Sequence, residues 1–353
     1  MTHSTSTRPI WILGILALMG IALIYFDAKR MEANPETVWR GYTMGTTYEI
    51  KLAGVQLDKE ELERVKQRVE AELQAVNDAM STYFPDSEIS RFNRLPAGGV
   101  QPIEFRFREV MQRSIKIFES TEGTFDPTMG VLIDLWGFGA GSGEANQMPV
   151  ESEIEEGLAK MGFEKIQLTD EGLSKELDGL EINLSAIAKG YGVDRIVKLL
   201  QAEGYQNIYM EIGGDLVCKG VNAQNIPWRI GIQVPSEMVG EGALKVMELR
   251  DGAVASSGDY RNFRFDGRER QHHILDPRTG HPTRHSLASV SVLAGDCMTA
   301  DAVATALYVM GTEDGMRWVE QQADIEALFI DRDGDGFSAS STPGFAETVL
   351  HLP

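Results

Sequence analysis

Cys297-Met-Thr-Ala-Asp301-Ala-Val-Ala-Thr305-Ala-Leu-Tyr-Val-Met-Gly311 reads as a buried helix. Thr299 stands where an N-cap is expected, an Ala-rich apolar run follows, and Gly311 ends it. Asp301 and Thr305 are four residues apart, so their side chains leave one face of the helix close to its N-terminus. A carboxylate and a hydroxyl are poor choices for so apolar a helix. Paired on one face they offer hard oxygen ligands suited to Mg²⁺, and the helix N-terminus favours a phosphate nearby. The plainer alternative is that Asp301 complements the helix dipole and Thr305 bonds back to a carbonyl. These residues alone leave both readings open.

Working outward, the chain alternates between strand and helix patterns. Gly41 to Leu52 reads as a strand, with Tyr-Glu-Ile-Lys-Leu alternating at its end. Leu62, Val65, Val69, Leu73, Val76 and Met80 then form one stripe of a long amphipathic helix, and Asp58 with Glu61 resembles a capping box at its start. Further helices are expected over Glu104 to Ser120, Glu151 to Met161 and Lys189 to Glu203, and strands at Glu181–Leu184 and Asn207–Ile212, the latter followed by Gly213-Gly214. Several hairpin-like segments run on to Val292. No repeat and no low-complexity linker divides the chain, so the expectation is a single large catalytic domain of the α/β (α+β) class.

Composition narrows the function. A net charge of −20 argues against a nucleic-acid partner, since phosphate backbones need a basic face. Any phosphate ligand must therefore be held by a metal, by backbone N–H groups or by a few placed cations. Cys218 and Cys297 match no metal-ligand spacing and read as two isolated buried thiols. Residues Pro9 to Phe26 (PIWILGILALMGIALIYF) carry no charge and are flanked by Arg8 and Lys29-Arg30, near the lower limit of the roughly 17–25 residues that span a bilayer. The possible cleavage sites, Phe26-Asp-Ala28 and Met31-Glu-Ala33, each place a bulky residue where a signal peptidase needs a small one. The expectation is an N-terminal stub (1–8), an uncleaved transmembrane anchor (9–26), a linker (27–39) and a catalytic domain (40–353). The flanking positive charges nearly balance and do not decide orientation, but a large domain behind a short stub is usually translocated.

Two motifs are set aside. Gly137-Phe-Gly139-Ala-Gly141-Ser-Gly143 lacks the strand-to-helix setting of a dinucleotide loop. Asp331-Arg-Asp333-Gly-Asp335-Gly336 begins like a calcium loop, but Thr342 stands where the bidentate Glu belongs, and a tight hairpin turn is the better account. More informative is a series of polar, Gly-rich segments placed where a core would not want them. They are Thr43-Met44-Gly45-Thr46-Thr47, Met80-Ser-Thr-Tyr83, Ser87 to Asn93, Gly123-Thr-Phe-Asp126-Pro-Thr-Met-Gly130, Ile182 to Tyr191, Glu211 to Asp215, Ser256 to Arg261 and His272 to Gly280. Their order, with the Asp301/Thr305 helix following, closely resembles the ApbE family of FAD:protein FMN transferases, from Gly41 onward.

The resemblance implies an ApbE-like (T-fold-like) domain and assigns residues. Met44, Tyr83, Thr124, Phe125, Asp126, Asn183, Lys189 and Leu275 fall on positions that look like the family's FAD contacts. Tyr83 and Phe125 have flat faces to offer an aromatic ring system, and Lys189 is a local cation for a pyrophosphate. Ala186 (through its carbonyl), Asp301 and Thr305 align with the metal positions, so Mg²⁺ is the implied cofactor and FAD the implied substrate. Leu275 is expected to act through its backbone, and Gly213-Gly214 to let the main chain approach the ligand. His273 is the candidate base. Two positions depart from the pattern: Ala304, where some members carry an acid, and Asn183, where many carry Asp. The implied reaction moves FMN from FAD to a Thr or Ser hydroxyl of an acceptor flavoprotein subunit of a membrane redox complex and releases AMP. It would take place on the periplasmic side of a bacterial inner membrane. A pyrophosphatase using water, or a non-enzymatic flavin- or metal-binding membrane protein, is the alternative.

Overall fold

Glu36–Thr43 (β1) and Thr46–Ala53 (β2) form a hairpin whose register runs from Glu36 opposite Ala53 to Thr43 opposite Thr46. The single strand expected over Gly41–Leu52 is therefore two strands with a reversal at Met44-Gly45. Both loop residues have positive φ, +49° and +74°, which is the geometry of a two-residue hairpin turn. Met is not a turn-forming residue, so the sequence gives no sign of the reversal. The computed structural model describes residues 33–140, 148–233, 235, 243–260, 262–266, 269–334 and 336–350.

Six more strands extend this hairpin: Ile208–Ile212 (β3), Asp215–Lys219 (β4), Gly252–Gly258 (β5), Leu287–Ala294 (β6), Glu326–Asp333 (β7) and Gly336–Ser341 (β8). They lie in the sheet in the same order as in the chain, and every pairing is antiparallel. Of the α/β (α+β) expectation, the α+β half describes this sheet. The Asp- and Gly-rich turn after Asp333 joins β7 to β8, as expected of a hairpin.

Both faces of the sheet are covered, and the strands alternate accordingly. Val217, Ala253, Ala255, Val290, Val292, Ala327 and Phe329 face the main core, while Leu216, Cys218, Val254, Leu328 and Ile330 face a second one. The second core is closed by the hairpin Trp228–Gln233/Ala243–Leu249 and the helix Pro343–Thr348. The first is closed by helices: Lys59–Met80 (α1), Phe105–Ser120 (α2), Ala188–Ala202 (α3) and Cys297–Met310 (α4). Helix α1 starts at Asp58, whose carboxylate accepts the Glu61 N–H at 2.9 Å. It buries Val65, Val69, Leu73, Val76 and Met80, as the apolar stripe requires.

Helix α4 is the pivot. Ala300, Ala302, Ala304 and Ala306 are all fully buried, and their small side chains let the helix lie close to the sheet and to α3. At the crossing, a Cβ on Gly190 would stand 2.2 Å from the Cys297 carbonyl oxygen, so only Gly fits. This contact sets Lys189 beside Asp301. The N-cap of α4 is Asp296 and not Thr299; the Asp296 carboxylate accepts the Thr299 N–H at 2.8 Å.

Other expectations shift as well. Glu181–Leu184 is not a strand; Glu181 makes an isolated parallel bridge to Met129. The helix from Glu151 ends at Leu158, before Met161. Cys218 and Cys297 are free and buried. Among the described residues no helix is long and apolar enough to cross a membrane. The expected anchor at 9–26, like the stub before it, lies outside the described residues.

Candidate active site

The turns Met44-Gly45 and Gly213-Gly214 sit at the same end of the sheet, beside the end of β5 and the N-terminus of α3. Together with the 124–129 loop, the 273–275 segment and one face of α4 they enclose a cavity of about 490 Å³. Every residue singled out from the sequence lines it: Met44, Tyr83, Thr124, Phe125, Asp126, Asn183, Ala186, Lys189, His273, Leu275, Asp301 and Thr305. Segments up to 261 residues apart in the chain thus meet in one place.

The charged centre lies between α3, α4 and β4. The Lys189 ammonium is 2.9 Å from Asp215 Oδ2 and 3.0 and 3.2 Å from the two Asp301 oxygens. Asp301 Oδ2 also accepts the Gly190 N–H at 3.0 Å. Burial works against the ammonium, but the Asp215 and Asp301 carboxylates outweigh it and hold Lys189 well above the usual lysine range. Burial, and then the Asp301 charge, push the Asp215 carboxyl up. The sequence reading placed Asp215 at the end of a polar segment and gave it no role. A carboxylate opening the apolar strand Leu-Val-Cys was the available signal.

Two carboxylates against one ammonium leave the cluster net negative, in an oxygen-rich wall. Thr305 Oγ1 lies 3.2 Å from Ser257 Oγ, a second residue to which no role was given. Among the described residues no hydrogen bond reaches the Ala186 carbonyl, because Gly190, four residues on, gives its N–H to Asp301 instead. No group of three His, Cys, Asp or Glu side chains among the described residues could hold a metal. The donors are instead a carboxylate, hydroxyls and a carbonyl, a hard-oxygen set that fits Mg²⁺, which retains much of its water. Ala304 is fully buried in the main core and contributes packing at the position where an acid was missed.

One expectation is corrected. The N-terminus of α4 cannot receive a phosphate, because its N–H groups are already bonded. Asp194 accepts from Cys297 and Met298 at 2.9 Å each, and Asp296 accepts from Thr299. Burial pushes the Asp194 carboxyl up to about 6 even so. Arg113 ties the cap down by pairing with Asp296 at 3.2 Å.

The flavin-side residues differ in what they can offer. Tyr83 is largely exposed, with its ring free to stack, whereas Phe125 is buried in the main core and presents only part of its surface to the cavity. Asp126 Oδ1 is held by the Thr128 N–H and hydroxyl at 2.7 and 2.6 Å, and Asn183 Oδ1 by the Ser185 N–H at 2.9 Å. Both side chains therefore shape loops as well as line the wall. Among the described residues no backbone hydrogen bond uses the N–H or carbonyl of Leu275, which leaves both for a ligand. Met44 packs over α3, where Gly192 makes room for it: a Cβ there would be 2.9 Å from Met44 Cε.

His273 is held in one tautomer. Its Nδ1 is 3.1 Å from the Asn262 carbonyl oxygen. A carbonyl only accepts, so Nδ1 carries the proton and the Nε2 lone pair is the basic one. Burial lowers the imidazole to about 4, which keeps it neutral at physiological pH.

The ApbE family model matches residues 44–329. A Vibrio cholerae protein named FAD:protein FMN transferase is 37% identical over 335 residues, covering 95% of this chain and 97% of its own. One of the same name from Haemophilus influenzae is 39% identical, covering 86% and 89%. The solved structure of the Vibrio cholerae flavin transferase ApbE superposes with a TM-score of 0.80 at 37% identity, over 89% of this chain and 99% of that one. The apo flavinyl transferase ApbE of Pseudomonas stutzeri does so at 0.80 and 34%, over 90% and 98%.

Proposed function

The chain belongs to the ApbE family and is a transferase, and on that premise we propose that it moves FMN from FAD onto a Thr or Ser hydroxyl of an acceptor protein and releases AMP. The observation that carries this reading is the convergence of the Lys189–Asp215–Asp301 cluster and a neutral, oriented His273 on one cavity.

The acceptor oxygen attacks the FMN-side phosphorus, its bond to that phosphorus forms, and the bridging P–O bond to AMP breaks. The hydroxyl proton passes to His273 Nε2, and the leaving phosphate departs as AMP. Such transfer rests on positioning and charge stabilisation more than on covalent chemistry by the protein. Lys189, held cationic by its two carboxylates, presents a local ammonium on the pyrophosphate side of the cavity, within a cluster whose net charge stays negative. Leu275, through its main-chain groups, and the ring of Tyr83 orient the flavin end. Asp301, Thr305 and the Ala186 carbonyl would hold Mg²⁺. When bound, the ion would neutralise charge on the pyrophosphate oxygens.

The uncharged segment 9–26 favours anchoring in the inner membrane, and we place the catalytic domain on its periplasmic side. Retention in membranes through a carbonate wash checks the anchor; a chain released by the wash removes it.

The activity test incubates the enzyme with FAD, Mg²⁺ and solubilised membrane proteins from cells lacking this chain. Covalent in-gel flavin fluorescence is expected. FMN and AMP without an adduct would assign a pyrophosphatase, and neither product would leave a binding protein.

A further inference from the structure

A transferase with two substrates needs two approaches to one reacting centre. Two cavities formed by the described residues reach Lys189. One is the flavin cavity. The other, about 750 Å³, runs from Lys189 along the second half of α1 to the β1–β2 turn. Met44 and Tyr83 stand in the wall common to both. We propose that this second groove receives the acceptor polypeptide, as an extended segment that places its Thr or Ser hydroxyl beside Lys189. The inference rests on the transferase reading above and adds where the protein substrate lies.

Two observations favour a peptide there. First, the groove's mouth carries Tyr42, Tyr83 and Phe84, which are 83%, 69% and 40% exposed. Large aromatic side chains left in water around one groove mark a recognition surface, since they contribute contact area at little entropic cost. Second, the floor is backed by the buried Leu73, Val76 and Met80 of α1, while Gln74 and Asn77 stand along it as amide side chains. Their nitrogens already donate, Gln74 to Asp78 and Asn77 to Thr43 and the Leu73 carbonyl, which leaves the amide oxygens to accept from a peptide backbone. The charged groups in the wall are already engaged: Glu70 accepts from Tyr48 at 2.5 Å, and Lys189 is held by Asp215 and Asp301. An uncharged extended segment is the matching occupant.

The test uses positions remote from the flavin cavity. Gln74 is exposed on α1 and Tyr42 is exposed on β1, and neither lines that cavity. Gln74→Trp would fill the groove and Tyr42→Ala would remove its rim. Each is assayed in the full chain with FAD, Mg²⁺ and solubilised membranes from cells lacking this chain, reading covalent flavin fluorescence against time. FAD affinity is measured separately by flavin fluorescence. The expected result is at least a tenfold slower transfer for Gln74→Trp and a severalfold slower one for Tyr42→Ala, with FAD affinity unchanged. Transfer at wild-type rates in both variants would overturn the assignment. So would a parallel loss of FAD affinity, which would make the groove part of the flavin site. No transfer even by the wild-type chain would instead remove the transferase reading, and this inference with it.

Discussion

Replacing Lys189 with Met keeps most of the side-chain stem and removes the ammonium that lies about equally close to Asp215 and Asp301. The two carboxylates are 3% and 5% exposed, so neither is well solvated once the ammonium is gone. Two like charges about 5 Å apart, at an effective dielectric of about 20, repel by about 3 kcal/mol. That agrees with the roughly 3–5 kcal/mol lost when one partner of a buried ion pair is removed. Urea unfolding at pH 8 should therefore show Lys189→Met less stable by about 3–5 kcal/mol, read from the midpoint at constant slope. Asp215 has its carboxyl raised by burial and by Asp301. A carboxyl raised in the folded state contributes stability that is present at low pH and lost as pH rises through its folded value. The deficit should therefore be smaller at pH 5 than at pH 8. Adding Asp301→Asn to the Met variant should recover much of the loss, and millimolar Mg²⁺ should stabilise the single variant more than sodium chloride of equal ionic strength. A cost under about 1 kcal/mol, the range of an exposed pair, or one that Asp301→Asn does not reduce, would refute the picture of one ammonium neutralising both carboxylates.

His273→Ala should slow transfer by about 10²–10⁴-fold with FAD affinity little changed, and a variant that fails only in binding FAD would demote His273 to a loop residue. Because burial lowers its pKa to about 4, the imidazole stays in its basic form down to that pH; the acidic limb of kcat/KM should fall near pH 4, and a limb near pH 6.5 would show a solvated imidazole. Asp301→Asn should abolish transfer at limiting Mg²⁺ while still folding, since the Lys189–Asp215 pair remains; wild-type activity would remove the metal assignment. Asp194→Ala leaves the buried Cys297 and Met298 N–H groups without their acceptor and should cost about 2–6 kcal/mol in urea unfolding, at about 1–3 kcal/mol per orphaned group; a loss under about 0.5 kcal/mol, the scale of surface changes, would mean the cap is replaceable.

Much of the architecture was legible because it depends on periodicity. The stripe from Leu62 to Met80, the Ala-rich run after Asp296 and the alternating strands each bury what their pattern says they bury. The turn at Met44-Gly45 was not legible, because Met at positive φ has no local cause. Its side chain is held from outside, over the space left by Gly192, and a sequence carries no record of such a contact. Asp58 and Asp296 both cap helices through their carboxylates, yet Thr299 looked like the cap because Thr is also a favoured N-cap residue. The choice was made by Asp194 and Arg113, which arrive from α3 and α2.

The same limit explains the site. Residue type and order were enough to gather its lining, but not to pair its charges. Asp301 and Thr305 advertise a ligand by being polar on an apolar helix; Asp215 hides behind a Gly-Gly turn, and Lys189 reads as a free cation. Only the crossing of α3 over α4, made possible by Gly190, shows that the lysine stands between two carboxylates. That changes its chemistry. A free lysine would be a mobile phosphate clamp, whereas this one is fixed within about 3 Å of Asp215 and of Asp301. Its ammonium is thus fixed before substrate arrives, but within a net-negative cluster, so on the proposed reading neutralising the pyrophosphate falls largely to a bound cation. The α4 N-terminus, closed by Asp194 and Asp296, cannot share this role, so the positive charge the described residues offer a phosphate in this cavity is concentrated at Lys189.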